Sequence, residues 1–138
     1  MFRLPDGLPD NSSFGDCLFA YTQRRGISQN CLATCARINQ SRLNKIANGR
    51  IKDVPVDALV CICLALKMSV EESKDLMARK SRAFSPADPV HQAYIELIEN
   101  YQEKPLDYSN EYQVTDFLCD ADDALTNQGF PPLPNCDA

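Results

Sequence analysis

Gln40, Ser41, Asn44 and Lys45 fall in one short stretch and carry hydrogen-bonding groups that the edges of bases can meet. A Gln or Asn carboxamide pairs bidentately with adenine, a Lys ammonium donates to guanine, and a Ser hydroxyl suits either. In a helix that starts after Asn39 and advances about 100° per residue, these side chains share one face while Leu43 and Ile46 occupy the other. The apolar pair anchors such a helix from behind and leaves its polar edge to enter a major groove. A plain solvated helix has the same two faces, so the flanking residues decide between the two.

Those flanks are chemically marked. The segment GISQNCLATCARINQSRLNKIANGR, residues 26–50, reads as two short helices joined by a tight turn. Ser28 followed by Gln29 makes a capped helix start, and Leu32, Ala33 and Ala36 give an apolar edge for close packing. Ile38 is expected in the turn, pointing inward. Asn39 has the short polar side chain that caps the next helix, and Asn48-Gly49 ends it with residues that tolerate a left-handed backbone.

These residues resemble the phage-repressor and Cro type of helix-turn-helix regulator, also called the lambda-repressor-like or xenobiotic-response-element type. The resemblance rests on Gly26, Ser28-Gln29, Leu32-Ala33, Ile38, Ser41, Ile46 and Asn48-Gly49, with Pro55 and LALKMSVEE following, and it covers roughly residues 14–84. It implies a five-helix domain: one helix near Phe14 to Arg25, a second from Ser28, the recognition helix from Asn39, a fourth near Val56 to Lys67 and a fifth from Val70. It also implies a sequence-specific regulator of transcription, most simply a repressor, that binds double-stranded DNA. Carried over by position, Gln40, Ser41, Asn44 and Lys45 fall where that family reads bases. Gln29, Arg42, Asn48, Arg50 and Lys52 fall where it touches phosphates. Arg37 stands where the family usually has Gly, and Lys67 replaces the Gly that commonly follows the fourth helix. If both backbones keep positive φ, each side chain costs about 1 kcal/mol. Arg37 is a further candidate phosphate contact, the other reading being a tolerated surface arginine.

The charge is divided to match. The formal net charge of −5 hides 13 Lys+Arg against 8 Asp+Glu in residues 1–83, and 1 against 11 in residues 84–138. Arg24, Arg25, Arg37, Arg42, Lys45, Arg50 and Lys52 gather around the two short helices, as phosphate neutralisation requires. A chain of 138 residues with 44% apolar content suits one compact domain or a small domain with an extension. No apolar run approaches a membrane span and the N-terminal residues lack an export core, so a cytoplasmic protein is expected, bacterial or phage-like on the strength of the resemblance. Seven cysteines then read as reduced thiols, and their odd count opposes a full disulfide framework. Cys31 and Cys35, i,i+4 at positions often exposed in the family, are candidates for thiol sensing. Cys17, Cys63 and Cys119 are expected to be small core residues. The spacings do not suit zinc and His91 is the only histidine, so neither metal nor other cofactor is expected. With no nucleophile-base pair and no phosphate-cradling glycine loop, an enzyme is not expected.

The fold expected is all-α, with a tail (1–13), the helix-turn-helix domain (14–84) and an acidic helical extension (85–138). Two prolines, Pro86 and Pro89, mark the second boundary, and Asp88 can cap a new helix there. Val90, Ala93, Tyr94, Leu97, Ile98 and Tyr101 form one apolar face; Val114, Phe117, Leu118, Ala121 and Leu125 form the next, suggesting a helical hairpin with acidic outer faces. The fourth helix is apolar on every side and must be covered. The C-terminal helices or a second subunit are expected over Val60 and Leu64, and a homodimer through either surface would pair two recognition helices about 34 Å apart. Either arrangement is expected to put the acidic half behind the DNA-reading face, where it repels least. The alternative function is a protein-interaction module that keeps the fold without binding DNA and uses its acidic half.

Overall fold

The computed structural model describes residues 2–135; Met1 and residues 136–138, the ends of the expected tail and extension, lie outside it. The regular structure among the described residues is all helical. After a short 3-10 turn at Pro5–Gly7 come α1 (Phe14–Arg24), α2 (Gln29–Ala36), α3 (Gln40–Ala47), α4 (Val56–Ala65), α5 (Val70–Ala78), α6 (Pro89–Tyr101), α7 (Glu111–Asp116) and α8 (Cys119–Asn127). All the α-helix starts except those of α4 and α8 carry capping side chains that satisfy orphan amides. Ser13 accepts from the Asp16 N–H, Ser28 from that of Cys31, Asn39 from those of Ser41 and Arg42, Asp88 from that of Val90, and Asn110 from that of Gln113. At α5, Ser69 and Glu72 form a reciprocal capping box.

Helix ends reuse one device. After α2, the N–H of Arg37 donates to Thr34 O and that of Ile38 to Ala33 O, closing a Schellman motif around a left-handed residue. The same pair of bonds recurs after α4 at Lys67 and Met68, after α5 at Ser81 and Arg82, and after α8 at Gly129 and Phe130. Arg37 and Lys67 do adopt positive φ, 58° and 53°, where the family resemblance would place glycine. The residue that follows each goes into the core, Ile38 and Met68 being buried, and that burial helps hold a non-glycine residue in the left-handed region.

The core is continuous from the N-terminal helices to the C-terminal ones. At its centre lies α4, packed by α2, α5 and α6, with every side chain from Ala58 to Leu66 buried. Val60 and Leu64 are fully covered within the single chain, so α4 keeps no open face for a second copy. Tyr108 reaches in from the loop before α7 and donates its hydroxyl to Ala65 O at 2.8 Å, near the end of α4. Arg25 closes the same end from α1, donating to the Leu66 and Lys67 carbonyls.

The second helix of the expected hairpin is broken. A continuous helix would join Ala121 N–H to Phe117 O, but the Tyr101 hydroxyl stands between them, donating to Phe117 O at 2.8 Å and accepting from Ala121 N at 3.0 Å. The chain therefore turns at Phe117 and Leu118, both buried. This break lets α7 leave α6 and lie along α2.

Candidate nucleic-acid interface

The α3 helix stands on a dry base. Leu43 and Ile46 are fully buried, while Gln40, Ser41, Asn44 and Lys45 are exposed together. Two contacts distant in sequence fix the helix from its C-terminal end. Lys80, beyond α5, donates its ammonium to the Ile46 and Ile51 carbonyls at 3.2 and 3.1 Å, neutralising the negative end of the helix dipole. Gly15 of α1 meets Ala47 so closely that a Cβ there would overlap the Ala47 carbonyl oxygen. Neither residue is marked by local spacing, because each acts across the fold.

Among the proposed phosphate contacts, Gln29, Asn48, Arg50 and Lys52 are exposed. Gln29 opens α2, and Asn48 Oδ1 accepts from the Arg50 N–H at 3.1 Å, which shapes the turn that carries Arg50 outward. Arg42 is half-buried, with its Nε enclosed and without a partner. Arg37 is differently placed. Its guanidinium makes a bidentate pair with Asp122 of α8 at 2.7 and 3.0 Å and reaches Leu133 O at 3.3 Å, and only 11% of the side chain remains exposed. The hydrogen bonds that it donates to Asp122 raise its pKa against the opposing effect of burial. Committed in this way, Arg37 is not presented outward with the other cations. Arg24 is engaged at the surface in a bidentate pair with Glu72, and Arg25 caps α4. The basic cluster read from composition thus separates into half-buried side chains (Arg25, Arg37, Arg42), a surface ion pair (Arg24 with Glu72) and outward charges (Lys45, Arg50, Lys52).

The acidic half does not lie wholly behind this face. Because α7 packs along α2, Glu111, Tyr112 and Asp116 line an open groove together with Asn30, Thr34 and Gln40 itself. Tyr112 is 84% exposed there. Carboxylates therefore stand beside the N-terminal end of α3, while Lys45, Arg50 and Lys52 stand toward its C-terminal end. The expected screening of acid from the reading face is replaced by a charge gradient along it.

Thiol positions also differ from expectation. Cys35 is fully buried and burial pushes its pKa up to about 12; Cys31 is half-buried and raised for the same reason. Raised values disfavour the reactive thiolate, so the pair is poorly set for sensing. Cys17 and Cys63 are core residues as expected, whereas Cys119, the first residue of α8, is exposed. No helix among the described residues is long and apolar enough to cross a membrane.

Comparison with known proteins agrees with this geometry over the N-terminal half. Residues 20–73 match the family model of the Cro/C1-type helix-turn-helix DNA-binding domain, spanning the end of α1 through the first turn of α5. No curated protein and no solved structure matched the chain. With α2 and α3 capped, packed and turned as described, residues 20–73 form a Cro/C1-type helix-turn-helix domain, joined in this chain to a further set of C-terminal helices.

Proposed function

We propose that the protein is a sequence-specific transcriptional regulator, acting as a repressor, that reads the major groove of duplex DNA with α3. The observation that carries the reading is the exposed row Gln40, Ser41, Asn44 and Lys45 on a helix whose opposite side, Leu43 and Ile46, is wholly buried. A helix seated so firmly presents its polar edge without first being ordered, which favours base contacts over a merely solvated face. Gln29, Arg42, Asn48, Arg50 and Lys52 supply phosphate contacts, and Arg37 is withdrawn from that set because Asp122 holds it. Residues 14–84 act as the DNA-binding unit and 85–138 as the packed extension. Since α4 is sealed, a homodimer on a pseudo-palindromic site pairs through the C-terminal helices and not through α4.

A second reading is favoured by the groove in which Glu111, Tyr112 and Asp116 accompany Gln40: a basic protein partner bound through the acidic half, with DNA left unread. Selection from a random duplex pool followed by fluorescence anisotropy at two salt concentrations separates the two. The regulator reading expects an enriched, palindromic site whose affinity falls with salt, and a loss of about 1–3 kcal/mol of specific recognition in Gln40→Ala and in Lys45→Ala. No enrichment at low salt moves the assignment to the protein-interaction reading, and unchanged sequence preference in both variants removes these residues as base readers.

A further inference from the structure

The contact between Arg37 and the C-terminal unit joins two parts of the chain that the family domain does not contain together: the turn between α2 and α3, and the segment from α8 to Leu133. Arg37 occupies the left-handed position of that turn, φ 58° and ψ 41°, so its backbone sets the angle at which α3 leaves α2. Its guanidinium is held by both carboxylate oxygens of Asp122, and Asp122 Oδ1 also accepts from the Leu133 N–H at 2.9 Å. Leu133 is itself buried. The carboxylate therefore ties the turn to α8 and to the segment that follows it. A lysine could supply the charge, but a single ammonium cannot reproduce a planar two-point fork.

We propose that Arg37 is a positioning residue for base recognition, through which Asp122 and the C-terminal unit hold the α2–α3 turn and so set the pose of α3. The proposal rests on the DNA-reading assignment above. It makes the extension part of the recognition device: loosening Asp122 shifts Gln40 and Ser41 relative to the bases, whereas attraction of the outward charges to phosphate depends on charge and not on the pose of α3. Specific affinity then falls and non-specific affinity does not.

The test compares Asp122→Asn, Arg37→Lys and Arg37→Gly in the full chain against the selected duplex and a random duplex of equal length. Glycine is the residue best suited to this backbone position, so Arg37→Gly keeps the turn sterically allowed while removing the side chain. A positioning role expects each variant to lose about tenfold on the selected duplex, with random-duplex affinity and helical circular dichroism unchanged. If Arg37→Lys and Asp122→Asn bind as the parent does while Arg37→Gly weakens on both duplexes, Arg37 is a phosphate contact and the proposal is overturned. Parental behaviour in all three variants overturns it as well. Should the parent protein select no duplex, the DNA assignment fails separately, and backbone amide exchange decides the latch. Faster exchange across residues 38–42 relative to α4 in Asp122→Asn then supports it, and unchanged exchange there disproves it.

Discussion

Single side chains in this protein do different work from what their charge suggests. Arg24, Arg25 and Arg37 belong to a basic cluster in the sequence, yet their guanidinium groups are engaged by carboxylates or helix-terminal carbonyls of this same chain. Planar guanidinium suits such sites because it satisfies two acceptors at once. Glu72 illustrates the consequence. Burial would raise its pKa, but the Arg24 hydrogen bond, the Ser69 backbone N–H and the Arg24 charge together hold it below the ordinary 4.5. A depressed carboxylate contributes stability that is present above its unfolded pKa and is lost as pH falls through the folded value. Chemical denaturation of the parent between pH 7 and pH 3 should therefore show stability draining away below about pH 4.5, and Glu72→Gln should flatten that acid limb. An equally steep limb in the variant would assign the loss to other carboxylates.

At the scale of elements, α3 is positioned by neighbours more than by its own sequence. Its back is pressed against α1 at Gly15, and its C-terminal carbonyls are held by Lys80. Gly15→Ala forces a methyl group into the Ala47 carbonyl, and the two helices must separate. The expected loss is about 1–3 kcal/mol, read as a lower midpoint in urea, accompanied by weaker DNA binding. A midpoint equal to the parent's would mean that α1 and α3 yield freely at this contact. The break between α7 and α8 depends on one hydroxyl in the same sense. Tyr101→Phe leaves Phe117 O and Ala121 N–H without their bridge, and a loss of about 1–3 kcal/mol is expected. A neutral or stabilising result would mean that the helix closes on itself once the hydroxyl is gone. The capping residues Ser28 and Asn39 and the inward Ile38 were legible from residue type alone, because caps and Schellman turns are decided within a few residues. The junction at Phe117 was not, since Val114, Phe117, Leu118, Ala121 and Leu125 retain helical spacing across it.

For the whole molecule, the division of charge matters less than where the fold sets it down. The acidic half reaches the recognition side through α7, placing Glu111 and Asp116 in the groove that Gln40 also lines. Carboxylates there oppose an approaching phosphate backbone, so Glu111→Gln with Asp116→Asn should raise DNA affinity by roughly two- to fivefold at low salt, with the gain disappearing at high salt. Unchanged affinity at low salt would place the groove outside the reach of bound DNA. The same packing gives α6 its role in stability, because α4 has no polar face and is covered by α2, α5 and α6 at once.

Sequence by itself determined the helical class, the limits of α2 and α3, the two-faced character of α3 and the need to cover α4. Each of these depends on periodicity or on caps only a few residues apart, and such signals survive without knowledge of distant partners. The tertiary structure alone decided that Arg37 turns inward to Asp122, that Tyr101 splits the last expected helix, that Cys119 lies outside and Cys35 inside, and that acid stands beside Gln40. Those outcomes follow from contacts between residues far apart in the chain, where the choice of partner is made by packing around α4 and not by any local pattern.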